Sequence, residues 1–84
     1  MKFSISVDVQ LLDGISDPAG ATIERALPAL GYEGIDDVSV GKIIRFTLEA
    51  TDLAEAQKIS EKICSSFLTN PVIEEAEISI EELS

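Results

Sequence analysis

The chain has 84 residues, six basic against sixteen acidic, a net charge of −10, one cysteine and no histidine. Those numbers bound one domain, 1–84, too small to fold alone with much margin, and the 45% hydrophobic content makes self-association a natural way to bury the surplus. They exclude nucleic acid and anionic membrane as partners, because neutralising phosphates needs clustered cations, and Lys2, Arg25, Lys42, Arg45, Lys58 and Lys62 are scattered.

Phe3, Ile5, Val7, Val9 and Leu11 alternate with Lys2, Ser4, Ser6, Asp8 and Gln10. Period-two alternation predicts a strand with one buried and one wet face. It also argues against a signal peptide, which needs a continuous apolar run, and no apolar stretch is long enough to span a bilayer. The expected location is the cytoplasm. This strand is long and nearly uncharged, an aggregation hazard if left bare.

After a loop over 12–16, Asp17 is placed to cap a helix and Pro18 to occupy its first position, where a missing N–H costs nothing. Ile23, Ala26, Leu27 and Leu30 then share one helical face, and Gly31 is placed to end the helix in the left-handed region. Pro28 disfavours helix at Leu27 and removes a bond to Glu24, so a kink or a distorted last turn is expected.

Val38-Ser39-Val40 and Ile44-Arg45-Phe46-Thr47-Leu48-Glu49 are β-rich and separated by Gly41, Lys42 and Ile43. Val38, Val40, Ile44, Phe46 and Leu48 share a parity, which fits one long strand bent at Gly41 or a hairpin with a three-residue loop. Asp52 and Glu55 have capping-box spacing and open a second helix with apolar positions Leu53, Ala56, Ile59, Ile63 and Phe67. Asn70 is expected to end it in the left-handed region, and Pro71 forbids continuation. Val72, Ala76, Ile78 and Ile80 supply a last strand, in which Glu74 is out of phase and marks a bulge. The expected fold is α+β: a two-layer sandwich, β-α-β(β)-α-β, with an antiparallel sheet of three or four strands and two helices on one face. Its core should hold Phe3, Ile5, Val7, Ile23, Leu27, Phe46, Leu48, Ile59, Ile63, Phe67 and Ile78.

Catalytic chemistry is scarce. Without histidine there is no Ser-His or Cys-His nucleophile, and a lone Cys64 cannot build a zinc site; it reads as a small buried hydrophobe. Adjacent carboxylates (Asp36-Asp37, Glu74-Glu75, Glu81-Glu82) point to opposite faces if on a strand and make poor acid–base pairs. The acid of the last strand, Glu74, Glu75, Glu77, Glu81 and Glu82, is either a solvated face or a contact for a basic patch. Val40-Gly41-Lys42 lacks the glycines and the hydroxyl of a phosphate loop. Gly41 supplies a bend, and Lys42 is a turn lysine or a charged contact to another subunit. The Asp17 carboxylate itself occupies the N–H groups that would otherwise bind an anion there, while Gly20 lets another backbone approach closely.

Asp17-Pro18-Ala19-Gly20, Leu30-Gly31, Val40-Gly41-Lys42 and Asn70-Pro71, in that order and spacing, resemble the PurS family, the small subunits of phosphoribosylformylglycinamidine synthase. The resemblance runs from the first strand to the last. It implies a non-catalytic, cytoplasmic subunit that forms a homo-oligomer (dimer or tetramer) and bridges a glutaminase (PurQ-like) and an ATP-dependent synthetase (PurL-like). Ammonia from glutamine then reaches formylglycinamide ribonucleotide in de novo purine biosynthesis. No cofactor is implied for this chain alone; ATP and magnesium belong to the partner synthetase. By the same resemblance Asp17, Pro18, Gly20, Gly31, Gly41, Lys42, Asn70 and Pro71 are the motif and interface residues. Pro28 and Ala19 depart from the family pattern. The rival reading is a homodimeric amino-acid-sensing regulatory domain, its site built from loop glycines such as Gly14 or Gly31.

Overall fold

A computed structural model describes residues 1–83. Three strands, β1 (Lys2–Leu11), β2 (Lys42–Glu49) and β3 (Glu74–Glu82), and two helices, α1 (Pro18–Ala26) and α2 (Leu53–Ile63), follow one another as β1-α1-β2-α2-β3. The sheet is antiparallel throughout, in the order β2-β1-β3. This is the α+β architecture read from the sequence, in its three-stranded form.

The longest and most buried strand therefore lies in the centre, with both edges paired, rather than at a bare edge. Phe3, Ile5, Val7 and Val9 are at most 1% exposed. Register places Leu48, Phe46 and Ile44 beside Phe3, Ile5 and Val7 on one side, and Ile80 and Ile78 beside Ile5 and Val7 on the other. Those flanking residues are half-buried against the same core. Glu74 pairs with Leu11 in unbroken register, so the expected bulge does not form. Val72 falls outside the strand, in the preceding turn, and is exposed.

Neither the bent strand nor the hairpin occurs at Gly41. Only Lys42–Glu49 pairs with β1, and residues 38–40 run alongside α1 instead, held by the carboxylates of Asp17 and Glu24.

Asp52 caps α2 by accepting the Glu55 N–H at 2.8 Å. Glu55 reaches back one residue further than in the usual box, accepting from the Thr51 N–H at 3.1 Å and the Thr51 hydroxyl at 3.0 Å. The buried line of α2 is Ala56, Ser60 and Cys64, small side chains that let the helix lie close to β1 and β3. Ile59 and Ile63 are half-buried beside that line, and Phe67, expected in the core, is 84% exposed. The helix leaves through a π turn over Cys64–Leu68, closed by the Thr69 N–H donating to the Cys64 carbonyl at 3.0 Å. The Thr69 hydroxyl donates to the same oxygen at 2.9 Å. Thr69 is extended, and Asn70 is not among the residues with positive φ, so the expected left-handed stop at Asn70 is absent. Asn70 acts one step later, accepting the Val72 N–H on Oδ1 at 3.2 Å to turn the chain into β3.

The first helix behaves differently. After Ala26 a 3-10 turn over Pro28–Leu30 ends at Gly31 with φ 94°, the distorted last turn that Pro28 imposes and the left-handed glycine that follows it. Ile23 is 45% and Leu30 70% exposed, and Leu27 is half-buried, so the apolar stripe of α1 does not join the core. The chain's radius of gyration is 16.7 Å and its longest extent 52 Å, against about 12 Å for the radius of a compact chain this long. α1 and its return segment form an arm.

Candidate functional site

The arm is built on Asp17. Its Oδ1 accepts the Gly20 N–H at 3.0 Å, the expected cap. Its Oδ2 accepts the Val40 N–H at 2.9 Å, a bond across the arm. Two helical turns on, Glu24 Oε1 accepts the Val38 N–H at 3.0 Å. Residues 38–40 therefore lend their amide groups to two helix carboxylates, as an edge strand would to a neighbouring strand. Backbone donation from Gly20, then from Val40, holds the Asp17 carboxyl below its ordinary value, slightly opposed by desolvation.

Gly20 is buried where α1 meets this segment. A methyl group there would collide with the Val38 carbonyl oxygen and stand 2.7 Å from Asp17 Oδ2. The close backbone approach read into Gly20 thus occurs within the chain. Pro18 is the first residue of the helix, as placed.

Gly41 performs a second close approach, since a methyl group there would lie 2.8 Å from the Val9 carbonyl oxygen. On one side of it a cavity of about 260 Å³ is lined by Val9, Leu11, Val40, Lys42 and Glu74. On the other side Asp8, Gln10, Ser39 and Ile43 line one of about 270 Å³. Lys42 opens β2 opposite Val9, exposed to solvent. Among the described residues the one ion pair is the Met1 amino group with Glu49 at 3.7 Å, so the Lys42 ammonium is uncommitted. The Asn70-Pro71 turn reaches the same end of the sheet, where the Leu12 N–H donates to the Ile73 carbonyl at 2.8 Å. Asp17, Pro18, Gly20, Gly41, Lys42, Asn70 and Pro71 consequently gather around the last residues of β1, while Gly31 lies apart at the tip of the arm.

The bonds from Val38 to Glu24 and from Val40 to Asp17 were not expected from the sequence, which placed both valines in a strand. A signal was present: Asp17 and Glu24 stand seven apart on one helical face, and Val38 and Val40 two apart on one side of an extended segment. Cys64 is buried, which pushes its thiol up, away from the thiolate needed of a nucleophile. No group of acidic or cysteine side chains suited to a metal ion occurs among the described residues. No helix there is long and apolar enough to cross a membrane. What this end of the sheet offers is a rigid, solvent-facing set of loops with a free cation.

Comparison with known proteins agrees on one family. The family model described as "PurS: Phosphoribosylformylglycinamidine (FGAM) synthase" matches residues 4–82. The phosphoribosylformylglycinamidine synthase subunit PurS of Methanothermobacter thermautotrophicus is 40% identical over 83 residues, 99% of this chain and 98% of that one. The crystal structure of the purS subunit from Thermotoga maritima superposes with a TM-score of 0.87 at 34% identity, covering 96% of this chain and 93% of that one. A chain in the structure of PurLQS from Thermotoga maritima gives the same TM-score and identity over 96% and 99%.

Proposed function

Because the chain belongs to the PurS family, we propose that it is the non-catalytic small subunit of a phosphoribosylformylglycinamidine synthase, acting in the cytoplasm in de novo purine biosynthesis as one PurS-like unit over residues 1–84. It self-associates and bridges a PurQ-like glutaminase and a PurL-like synthetase, so that ammonia from glutamine reaches formylglycinamide ribonucleotide; the synthetase uses ATP and magnesium. The observation that carries this reading is the full-length likeness to a chain of the PurLQS assembly. The side-chain chemistry supports it: the sequence holds no histidine, and burial keeps the single thiol protonated.

The loops at the end of the sheet are the contact surface in this reading, with Asp17, Gly20 and Gly41 fixing the backbone and Lys42 offering charge. Loops on a rigid scaffold touch a partner without disturbing the core. Lys42→Glu reverses the charge at an exposed position, so fold and self-association should persist while assembly weakens. The experiment mixes this chain with the synthetase and glutaminase, follows the complex by gel filtration, and reads glutamine-dependent ADP release. Turnover that needs the wild-type chain and falls with Lys42→Glu supports the reading. Equal ammonia transfer without this chain overturns the bridging role, and wild-type assembly by the variant returns Lys42 to the ordinary surface.

A further inference from the structure

We propose that the outer edge of β3 is a docking site for an extended segment of another subunit, one in which basic and apolar side chains alternate and which joins the sheet as a fourth strand. This gives the bridging in the proposed function a second contact, apart from the loops around Lys42, and rests on that reading.

The free edge follows from the register. The Leu83 N–H donates to the Lys2 carbonyl and the Leu12 N–H to the Ile73 carbonyl, both at 2.8 Å, which fixes the phase of the antiparallel ladder between β1 and β3. Residues 75, 77, 79 and 81 bond to β1, whereas Ala76, Ile78, Ile80 and Glu82 turn their N–H and C=O groups outward. The Glu74 N–H is taken by the Asn70 carbonyl at 2.8 Å, so the open run begins at Ala76. From there to Glu82 it spans about 20 Å, room for a strand of about seven residues.

The two faces of this run set the chemistry of the occupant. Towards the helices, Ala76, Ile78 and Ile80 form a groove of about 550 Å³ with Leu53, Gln57 and Glu61 of α2. Leu53 is 54% exposed there, and a strand laid beside β3 turns every second side chain into the groove. On the open face stand Glu75, Glu77 and Glu81, all exposed, and the remaining side chains of the added strand fall directly beside them. Opposite charges so placed stabilise a strand pair and like charges oppose it. The incoming segment is therefore apolar towards α2 and basic towards the glutamates, with main-chain bonds supplying affinity and the alternating side chains specificity. Charge alone on an edge guards against aggregation, but an apolar groove along the same edge does not serve that end. A second copy of β3 is opposed, because it sets the three glutamates against their own kind. The β2 edge of another copy carries Lys42 and Arg45, but β2-to-β3 pairing is head-to-tail and does not close.

Ala76→Pro tests this. It removes an N–H that points outward and none that bonds to β1, so circular dichroism should be unchanged. In gel filtration with the synthetase and glutaminase, the variant should assemble about tenfold more weakly, the effect of one lost hydrogen bond. Glu77→Lys/Glu81→Lys leaves the strand backbone unaltered and should weaken assembly further. A capped peptide of alternating arginine and valine, about seven residues long to match the edge, probes the site directly. It should shift the amide signals of residues 76–82, Leu53 and Gln57 in isotope-labelled chain and slow amide exchange at Ala76, Ile78 and Ile80. The same peptide with glutamate in place of arginine should leave them unmoved. Wild-type assembly by both variants, or a peptide that binds elsewhere, overturns the docking site. If Ala76→Pro alone sediments with a lower mass than the wild type, a second copy holds the edge, which overturns it as well. A wild-type chain that assembles with neither protein defeats the bridging reading first and takes this contact with it.

Discussion

Gly20→Ala separates local propensity from tertiary contact, because the two give opposite signs. Alanine is the better helix former by about 1 kcal/mol, so at an ordinary helix position the change stabilises. At Gly20 the new methyl group overlaps the Val38 carbonyl oxygen and crowds Asp17 Oδ2 at 2.7 Å. Backbone cannot turn aside as a flexible side chain can, and residues 38–40 must retreat by roughly 1 Å to restore van der Waals separation. That retreat breaks the Glu24–Val38 bond, now 3.0 Å, and a charge-assisted bond of this kind contributes about 1.5–3 kcal/mol. Propensity offsets part of the loss, leaving a net destabilisation of about 1 kcal/mol and a fall in Tm of roughly 4–8 °C for a domain this small. Thermal melts at one fixed protein concentration check it, because association raises Tm by mass action. Amide exchange at Val38 and Val40 should accelerate in the same variant. A Gly20→Ala chain as stable as wild type or more so, with both amides still protected, refutes the reasoning.

Ser60 is fully buried and its hydroxyl has no hydrogen-bond partner; Ser60→Ala should raise stability by about 1 kcal/mol in urea titrations, since an unsatisfied buried polar group costs that much or more. For Asp17 the folded pKa lies below the ordinary 3.8, so its contribution is fully present above that value and is lost as pH falls through the lowered one. The Val40 amide proton shift should titrate in that acid range, and Asp17→Asn should abolish the titration. The Cys64 thiol, pushed up by burial, should resist Ellman's reagent at pH 8 in the native chain and react at once in denaturant.

How far the sequence could be read depended on which partner each pattern meets. The alternation of Phe3, Ile5, Val7 and Val9 identified the core strand because a sheet buries its apolar parity whatever lies above it. In α2 two lines compete at the same spacing, 56-60-64 and 59-63-67. Hydrophobicity favoured the second, whereas the sheet selected the first, whose small side chains allow close approach. The stripe on α1 was correctly seen as apolar, but amphipathicity says nothing about whether the covering surface belongs to the same chain. At the loop end of the sheet, the Asp17-Pro18 cap was legible from local chemistry. The collision that requires glycine at position 20 involves a carbonyl eighteen residues away, and no local rule reaches it. Asn70 was assigned the wrong job because a π turn had already ended the helix at Leu68, spending the residues that a left-handed stop would have used.

The central place of β1 has a consequence for how the molecule comes into being. The first strand made is the last to be enclosed: its rungs join Lys2 to Glu49, more than half the chain away, and Phe3 to Glu82, nearly the full length of the chain. Both pairings close long loops, and proteins dominated by such pairings fold slowly, in milliseconds to seconds. On a ribosome the apolar strand waits with both backbone edges open until β3 has cleared the exit. Any chain halted before Glu74 keeps one of those edges permanently bare, in the longest of the three strands. A stop shortly before β3 should therefore produce inclusion bodies rather than a smaller soluble fragment, and full-length chain should acquire protease resistance only after release.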